Sequence, residues 1–230
     1  MTCGFEHLAL VVSDMDQAFE RLRALKVQFV STGPQRLPDW NPTAAGIKAF
    51  YFRDPDQHTL EVIWFPPGKR DPRWQRRSDN PFLGIDHTAI AVSDSAVSFH
   101  FYGELLGLRK VGGGENYGPE QEHLNQVFGA RVRITSLRVA SGPGIEFLEY
   151  LTPRGGRPRP ADARANDLLH WPTTLVTPDL DALAAKLRSE RVGFVSPGVT
   201  LMAEGKLGFS RGVLVGDPDG HAVLLIQEGR

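Results

Sequence analysis

One short sequence pattern occurs three times along the chain, and this internal repeat constrains the fold more than any other feature. Its copies lie at residues 5–14, 85–94 and, more loosely, 171–181. Each copy reads as a strand that ends at an Asp, the residue type that commonly caps a helix N-terminus. Apolar residues at helical spacing follow, and then apolar runs of strand length. The sequence therefore predicts three βαβββ modules.

A tight turn containing Asp-Pro-Asp also recurs, at residues 54–58 and 217–221, and an apolar run of strand length follows each copy. When the two runs are aligned, Leu224 stands where the first run has Glu61. A carboxylate in an apolar strand is costly unless it faces water, forms an ion pair or binds a metal. Glu61 is therefore the residue in this run that requires an explanation.

The second module differs from the other two. It carries the helical sequence FYGELLGL at residues 101–108, and the pattern predicts a long insertion at 112–129 and leaves its middle strand unresolved. From the repeats and the linkers, which are rich in Pro, Gly and Arg, we expect an unpaired module at 1–66, a linker at 67–81 and one domain at 82–230. That domain would combine the modules at 82–153 and 168–230.

A His and a Glu occupy matching places in the first two modules. His7 lies in the first strand, 54 residues before Glu61, and His87 lies 59 residues before Glu146. Imidazole and carboxylate ligands suit zinc, iron, manganese or nickel. A single buried His is more often structural, but the recurrence of the pair favours a divalent-metal site, with the metal left open.

The third module breaks this pattern. Pro172 aligns with His7 and Leu224 aligns with Glu61. His170 lies two residues before Pro172, on the same strand face, but no carboxylate accompanies it. The sequence thus predicts metal ligands in two of the three modules.

Several of these motifs together resemble the vicinal oxygen chelate superfamily, which includes glyoxalases, extradiol dioxygenases and bleomycin-resistance proteins. They are the opening strand HLALVVSD, the helix FYGELLGL, the turn DPDGH and the strand IEFLEYL. The resemblance implies an α+β fold in which paired βαβββ modules form cupped mixed sheets. It also places His7, Glu61, His87 and Glu146 at metal-ligand positions, with Glu61 and Glu146 as the candidate catalytic residues. Glu149, on the opposite strand face, is less suited to bind the metal.

The number of modules raises a question of pairing. The second and third modules resemble the two halves of one domain in this family, which leaves the first module with a bare apolar sheet face. We expect a homodimer that pairs residues 1–66 across a two-fold axis. Docking of the first module within its own chain is the alternative, and a four-module protein that lacks its first module is a third.

Charge and composition exclude several partners. The net charge is −1, which favours neither nucleic acid nor a membrane surface, and the basic linker lacks an aromatic platform for bases. The single Cys3 excludes an internal disulfide and a multi-cysteine zinc site. No apolar run approaches the length of a membrane span and no signal-peptide pattern is present, so we expect a cytoplasmic protein.

The resemblance implies a metal-dependent enzyme that acts on a small oxygen-rich or aromatic substrate. Glyoxalase, isomerase or lyase chemistry and extradiol-type ring cleavage both remain open. The alternative is a metal-free protein that binds and sequesters a small molecule, as bleomycin-resistance proteins do.

Overall fold

The structure, a computed structural model, describes residues 3–154, 156–201 and 208–227. The chain forms two compact units. One unit, here called the site unit, consists of Glu6–Ala91 and Arg109–Gly156. The other, here called the third-module unit, consists of Met1–Phe5, Val92–Leu108 and Arg157–Arg230.

Each module begins with a strand that leads into a helix, as the repeat predicts. The carboxylates of Asp14, Asp94 and Asp179 cap these helices by accepting hydrogen bonds from backbone N–H groups of the first turn. The helices are α1 (Met15–Ala24), α2 (Ser95–Phe99, continued by a π-helix at His100–Leu105), α3 (Pro119–Asn125) and α4 (Leu180–Ser189); a 3₁₀ helix spans Pro72–Gln75. Within the described ranges, no helix has both the length and the apolar character needed to cross a bilayer.

Nine strands of the first two modules form a single mixed sheet with the order β2-β4-β5-β1-β6-β9-β8-β7, and β3 pairs with β4. The strands are β1 (Gly4–Val12), β2 (Gln28–Phe29), β3 (Gln35–Arg36), β4 (Lys48–Arg53), β5 (Thr59–Trp64), β6 (Phe82–Ala91), β7 (Arg109–Tyr117), β8 (Arg131–Arg138) and β9 (Gly144–Thr152). This mixed sheet with its helices confirms the predicted α+β class.

The first and last strands of each module are parallel and keep the same register. Ala9 of β1 lies opposite Glu61 of β5, and Ala89 of β6 lies opposite Glu146 of β9. Successive side chains of a strand point to alternate faces of the sheet. His7 lies two positions before Ala9, so its side chain is on the same sheet face as that of Glu61. The same register places His87 on the face of Glu146.

The grouping of modules differs from the one expected from the sequence. The first strands of the first two modules, β1 and β6, are neighbours in one sheet, whereas the expected domain at 82–230 paired the second module with the third. The resemblance of a segment to one half of a family domain identifies which type of module it forms. It does not predict which modules pair, because strand pairing between modules depends on long-range contacts that the local pattern does not encode. The expected homodimer through residues 1–66 stays a prediction; within one chain, β6 of the second module lies beside β1 of the first.

Strand β7 corrects the expected insertion at 112–129. It supplies the middle strand of the second module, and α3 follows it within the same segment. The run Gly112–Gly114 hid this strand because glycine is unfavourable in strand interiors. Close packing accounts for two of these glycines: a Cβ at Gly113 would lie 2.7 Å from the backbone oxygen of Ile134, and one at Gly114 would lie 2.6 Å from Thr43 Oγ1.

Apolar side chains cover both faces of the first module's part of the sheet. On one face, α1 packs against the sheet through a cluster that includes Met15, Ala18, Leu22, Phe50 and Val62. The other face, here called the cup face, carries the metal-ligand candidates and a cluster that includes Ala9, Ile47, Tyr51, Ile63 and Leu124.

The third-module unit contains its own four-stranded sheet, with the order β10-β13-β12-β11. Its strands are β10 (Thr173–Val176), β11 (Thr200–Leu201), β12 (Arg211–Gly216) and β13 (Ala222–Gln227). Helix α4 lies against β12 and β13. The third module therefore repeats the order strand, helix and strands.

Candidate metal centre

The four residues predicted as metal ligands meet on the cup face of the site unit. His7 and Glu61 come from β1 and β5, and His87 and Glu146 come from β6 and β9. All four side chains are buried, at most 6% exposed. Because β1 and β6 are neighbours in the sheet, two His–Glu pairs that are far apart in sequence lie within one site.

The donor atoms lie close together. His7 Nε2 is 3.4 Å from both His87 Nε2 and Glu61 Oε2. His87 Nε2 is 3.5 Å from Glu61 Oε2 and 3.4 Å from Glu146 Oε2. His7, Glu61 and His87 thus form a compact set of three donors. Glu146 lies next to this set through its contact with His87.

These separations fit a bound divalent ion. Four N and O donors at about 2.1 Å from a tetrahedral ion lie about 3.4 Å from one another. The three separations among His7 Nε2, Glu61 Oε2 and His87 Nε2 are 3.4–3.5 Å, as for three of these donors, and Glu146 Oε2 lies 3.4 Å from His87 Nε2. Two imidazole nitrogens that approach to 3.4 Å with carboxylates on either side are also a donor set that zinc, iron, manganese and nickel accept.

A carboxylate stands behind each imidazole. Glu6 Oε2 makes a short contact with His7 Nδ1, and Asp86 Oδ2 lies 2.9 Å from His87 Nδ1. Such partners fix the ring orientation and leave Nε2 free to bind a metal. Glu6 and Asp86 were not predicted, although each directly precedes its histidine in the sequence, so the acid–His dipeptide was a usable signal.

Neighbouring charges favour the charged forms of His7 and Asp86. Burial opposes the charge on His7, but Glu6 and Glu61 raise the pKa of its imidazole to about 10. Burial likewise opposes ionisation of Asp86, yet its pKa lies well below its usual range because His87 and Arg138 stabilise the carboxylate. Trp74 Nε1 and Arg138 Nη2 donate hydrogen bonds to Asp86 at 3.0 and 2.7 Å.

Glu146 has further partners that sequence reasoning missed. Arg70 Nη2 and Ser136 Oγ each donate a hydrogen bond of 2.7 Å to Glu146 Oε1. Burial alone would raise the pKa of Glu146, but His87, Arg70 and Ser136 lower it to about 2. Arg70 belongs to the predicted linker at 67–81, where no periodic pattern signals a contact with the site.

Other residues named from the sequence lie outside this centre. Glu149 forms an ion pair with Arg133 at 3.1 Å. His170 belongs to the third-module unit, where Arg159 Nη2 donates to its Nδ1 at 3.3 Å. Its pKa is lowered by burial and by the Arg159 charge.

A cavity of about 320 Å³ opens onto the four candidate ligands. Its walls are mostly apolar, and its polar lining includes Tyr51, Tyr150 and Gln121. Burial raises the pKa of both tyrosines, with carboxylates as a further cause, so both hydroxyls stay protonated at neutral pH. Tyr150 Oη accepts a hydrogen bond from Asn125 Nδ2 at 3.0 Å, which leaves its own proton available to a ligand.

Gln121 is a buried polar side chain of α3 that lines this cavity. It is 5% exposed, and its Oε1 has no hydrogen-bond partner among the described residues. An unpaired buried carboxamide oxygen costs about 1–3 kcal/mol. The cavity therefore presents an unused acceptor to whatever occupies it.

The fold and the site together define a cupped-sheet protein of paired βαβββ modules with a candidate metal centre between the modules. A family model described as the Glyoxalase/Bleomycin resistance protein/Dioxygenase superfamily matches residues 84–225. The chain belongs to this superfamily, which contains glyoxalases and dioxygenases. Among curated proteins, no sequence matches this chain.

Solved structures of two glyoxalase proteins have folds similar to that of this chain. Glyoxalase I from Zea mays is 16% identical with a TM-score of 0.60, over 97% of this chain and 67% of that one. A glyoxalase family protein from Bacillus cereus is 21% identical with a TM-score of 0.55, over 66% of this chain and 99% of that one. At these identities the similarity shows the fold alone, and this chain covers about two-thirds of the maize protein.

Proposed function

We propose that this protein is a divalent-metal-dependent isomerase or lyase that moves a proton next to a carbonyl group of a small substrate. The observation that carries the proposal is the set of three buried donor atoms of His7, Glu61 and His87, which lie 3.4–3.5 Å from one another. Glu146 Oε2 lies 3.4 Å from His87 Nε2, and a carboxylate contacts Nδ1 of each imidazole. His7, His87, Glu61 and Glu146 would hold the ion. The ion would act as a Lewis acid that stabilises the anion formed when the proton leaves.

The two glutamates differ in a way that supports separate roles. Arg70 and Ser136 hold Glu146 through one oxygen, and its low pKa keeps it ionised, which suits a fixed ligand. Glu61 makes its side-chain polar contacts, among the described residues, with the two imidazoles alone. A carboxylate without other hydrogen-bond donors is freer to move and to accept a proton. Glu61 is therefore the proposed general base.

The cavity supports a small substrate with an apolar body. Its volume of about 320 Å³ lies at the lower end of the range of ligand pockets. Apolar walls exclude water from the reacting atoms and strengthen the electrostatic interactions there. The Tyr150 hydroxyl and the Gln121 carboxamide offer polar contacts that would orient the substrate.

Metal titration tests the centre itself. We expect calorimetry with Zn²⁺ or Ni²⁺ and metal-stripped protein to show one high-affinity ion per chain. Replacing His7 by Ala should weaken that binding strongly, whereas replacing exposed His100 by Ala should not. The absence of such binding would remove the proposal and favour the metal-free binding protein.

Deuterium exchange tests the proposed roles. Metal-loaded protein would be incubated in D₂O with a panel of small α-hydroxycarbonyl compounds and 2-oxoaldehyde–thiol adducts, and the loss of the C–H signal followed by proton NMR. We expect Glu61→Gln to abolish exchange at saturating metal. Glu146→Gln should mainly raise the metal concentration that is required. Equal behaviour of the two variants would contradict the assignment of the base to Glu61.

Extradiol-type ring cleavage is the second candidate function. The compact set His7, His87 and Glu61 is a two-His, one-carboxylate group, the donor type of non-haem iron oxygenases. Oxygen uptake by the Fe²⁺-loaded protein with catechols would support this function. Exchange with Ni²⁺ or Zn²⁺ and no oxygen uptake with Fe²⁺ would support the isomerase or lyase.

A further inference from the structure

The wall of the cavity formed by the second module changes from polar to apolar and back along its length. Strands β8 and β9 place three pairs of cavity-lining residues side by side: Ser136 with Glu146, Ile134 with Leu148, and Val132 with Tyr150. The first pair lies at the metal centre, the second is apolar, and the third presents the Tyr150 hydroxyl. Tyr150 lies four residues beyond Glu146, about 13 Å along the strand. The cavity therefore has a second polar group away from the metal centre.

Helix α3 brings another polar side chain to this part of the cavity. Gln121 and Asn125 are four residues apart in α3, so their side chains are neighbours on one face of the helix, with Cβ atoms about 5–6 Å apart. Asn125 Nδ2 donates a hydrogen bond of 3.0 Å to Tyr150 Oη. Gln121, which lines the cavity, therefore lies within about one helical turn of the Tyr150 hydroxyl.

These two polar groups have complementary hydrogen-bonding capacity that the protein does not use. Asn125 Oδ1 accepts a hydrogen bond from the backbone N–H of Val127 at 3.1 Å, which fixes the amide with its N–H groups toward Tyr150. The Tyr150 oxygen is the acceptor in that contact, so its own proton is free to donate. Gln121 Oε1 is buried and has no hydrogen-bond partner among the described residues. The cavity thus offers one donor and one acceptor side by side.

The charges around this pair disfavour an anionic ligand group. Burial, followed by the charge of Glu6, raises the pKa of Tyr150, so the charge that acts on this hydroxyl is negative. The lysine and the arginine that line the cavity have other partners. Lys69 donates to the backbone oxygen of Pro42, and Arg70 is paired with a carboxylate at the metal centre. A hydroxyl is the smallest uncharged group that both donates and accepts a hydrogen bond, and it matches this pair.

We propose that Gln121 and Tyr150 form a subsite that binds a hydroxyl group of the substrate at the end remote from the metal centre. The hydroxyl would donate to Gln121 Oε1 and accept from the Tyr150 O–H, so both unused groups would be paired. The substrate class is then an uncharged hydroxy-carbonyl compound whose apolar chain lies along Ile134 and Leu148. The place of its carbonyl, at the metal centre, rests on the proposed function, whereas the hydroxyl subsite follows from the cavity alone.

Ligand titration of the metal-stripped full chain tests the subsite without the metal. The probes are 1-hexanol and 1-fluorohexane, because fluorine is close in size to a hydroxyl group but cannot donate a hydrogen bond. Their affinities would be measured by heteronuclear NMR. We expect 1-hexanol to bind at least about 10-fold more tightly, since its hydroxyl pairs groups that 1-fluorohexane leaves unpaired. Equal affinities, or no binding of either probe, would overturn the proposal.

Two variants assign the preference for the hydroxyl to the proposed residues. Gln121→Leu should remove the preference, because it deletes the acceptor and keeps a side chain of similar size. Tyr150→Phe should reduce it, because it deletes the donor and keeps the aromatic ring. The matched control is Gln28→Leu, at an exposed position of β2, which should keep the preference of the wild type. A preference that survives in both cavity variants, or that falls equally in the control, would contradict the subsite.

Calorimetry with Zn²⁺-loaded protein separates the subsite from the proposed function. The probes are straight-chain hydroxamic acids of increasing length, each compared as a pair with a terminal hydroxyl or a terminal methyl group. The hydroxamate binds the metal in both members of a pair. We expect the hydroxyl compound to bind at least about 10-fold more tightly at the length that reaches the subsite.

The two proposals fail in different ways in these measurements. Equal binding of both members of every hydroxamate pair would contradict the hydroxyl subsite and leave the metal centre in place. No binding of any hydroxamate, together with a preference for 1-hexanol in the metal-stripped protein, would contradict the metal centre and support the subsite.

Discussion

The cup face of the first two modules and the corresponding face of the third module's sheet have the same strand register but differ in the side chains at a few positions. Ala9 faces Glu61, Ala89 faces Glu146, and in the third module Thr174 faces Leu224 in the same parallel register. The position that carries the carboxylate is thus part of the repeat itself. The side chain at that position determines whether a module contributes to a metal centre.

The buried histidines show the same contrast. His7 and His87 each have a carboxylate at Nδ1, which favours a fixed ring and an available Nε2. His221 of the third module is equally buried, but its Nδ1 has no hydrogen-bond partner among the described residues, and Thr173 contacts its Nε2. Burial, followed by the charges of Arg159 and His170, lowers the pKa of His221 to about 3. The carboxylate partner therefore distinguishes candidate ligands from a structural histidine.

Glu61→Leu places in the first module the residue type that the third module has at the aligned position, Leu224. We expect the largest effect on metal binding from this variant. It removes a donor that lies within 3.5 Å of both imidazoles, so divalent-metal affinity should fall by about 100-fold or more, measured by calorimetry.

Glu149→Leu is the matched control for Glu61→Leu, because Glu149 pairs with Arg133 and lies on the opposite face of β9 from Glu146. It should bind metal as the wild type does. Circular dichroism would verify that both variants fold. Unchanged metal affinity in Glu61→Leu would contradict the claim that the residue at this position determines whether a module binds metal.

Glu6→Gln removes the carboxylate behind His7 and keeps a polar side chain of similar size. We expect metal affinity to fall by about 10- to 100-fold, since such partners orient the ligand and raise its basicity. Competition with a chromogenic chelator would measure the loss. Glu20→Gln, on the exposed side of α1, should leave affinity unchanged, and an equal loss there would refute a role for Glu6.

His221→Gln tests the difference between the structural histidine and the candidate ligands through the pH dependence of stability. The folded state favours the neutral imidazole, with a pKa of about 3 against an ordinary value of 6.5. The contribution of the neutral His221 to the free energy of unfolding is therefore complete above about pH 6.5 and is lost as the pH falls toward 3. Between pH 8 and pH 5 the wild type should lose about 2 kcal/mol more stability than the variant.

Urea unfolding at several pH values would measure this difference. His100→Gln is the control, because His100 is exposed and pairs with Glu104, and it should keep the pH dependence of the wild type. If stability in His221→Gln followed the same pH curve as the wild type, the histidine would not be held neutral by the fold.

Gln121→Leu should have the smallest effect, and in the stabilising direction. The buried carboxamide oxygen of Gln121 has no hydrogen-bond partner among the described residues, and the variant replaces it with an apolar side chain of similar size. We expect the free energy of unfolding to rise by about 1 kcal/mol, measured without ligand or metal. A clear loss of stability would show that the carboxamide has a structural partner.

Much of the fold followed from local patterns in the sequence. The repeat predicted three modules, and Asp14, Asp94 and Asp179 marked the helix starts that the structure shows. The pairing of β1 with β6 could not be predicted in this way, because strand edges are joined by long-range packing that leaves no periodic signal. Glycines at 112–114 concealed β7 for a local reason: their close packing needs glycine, which strand propensity disfavours.

The candidate site was predictable only in part. His7, Glu61, His87 and Glu146 stood out because two modules repeat the His–Glu pair, and the structure brings all four together. Arg70 was missed because it lies in an irregular linker with a positive φ of 63°, where no repeat or periodicity guides an expectation. Ser136 was missed because a serine in a strand carries no chemical signal until its neighbour is known.

X-ray absorption spectroscopy at the metal edge of protein loaded with one equivalent of Zn²⁺ or Ni²⁺ would test the proposed metal centre most directly. We expect a first shell of nitrogen and oxygen at about 2.0–2.2 Å, with the outer-shell scattering of two imidazoles. In Glu61→Leu the shell should lose an oxygen or the metal should be absent. A wild-type spectrum without imidazole scattering would contradict a metal centre built from His7 and His87.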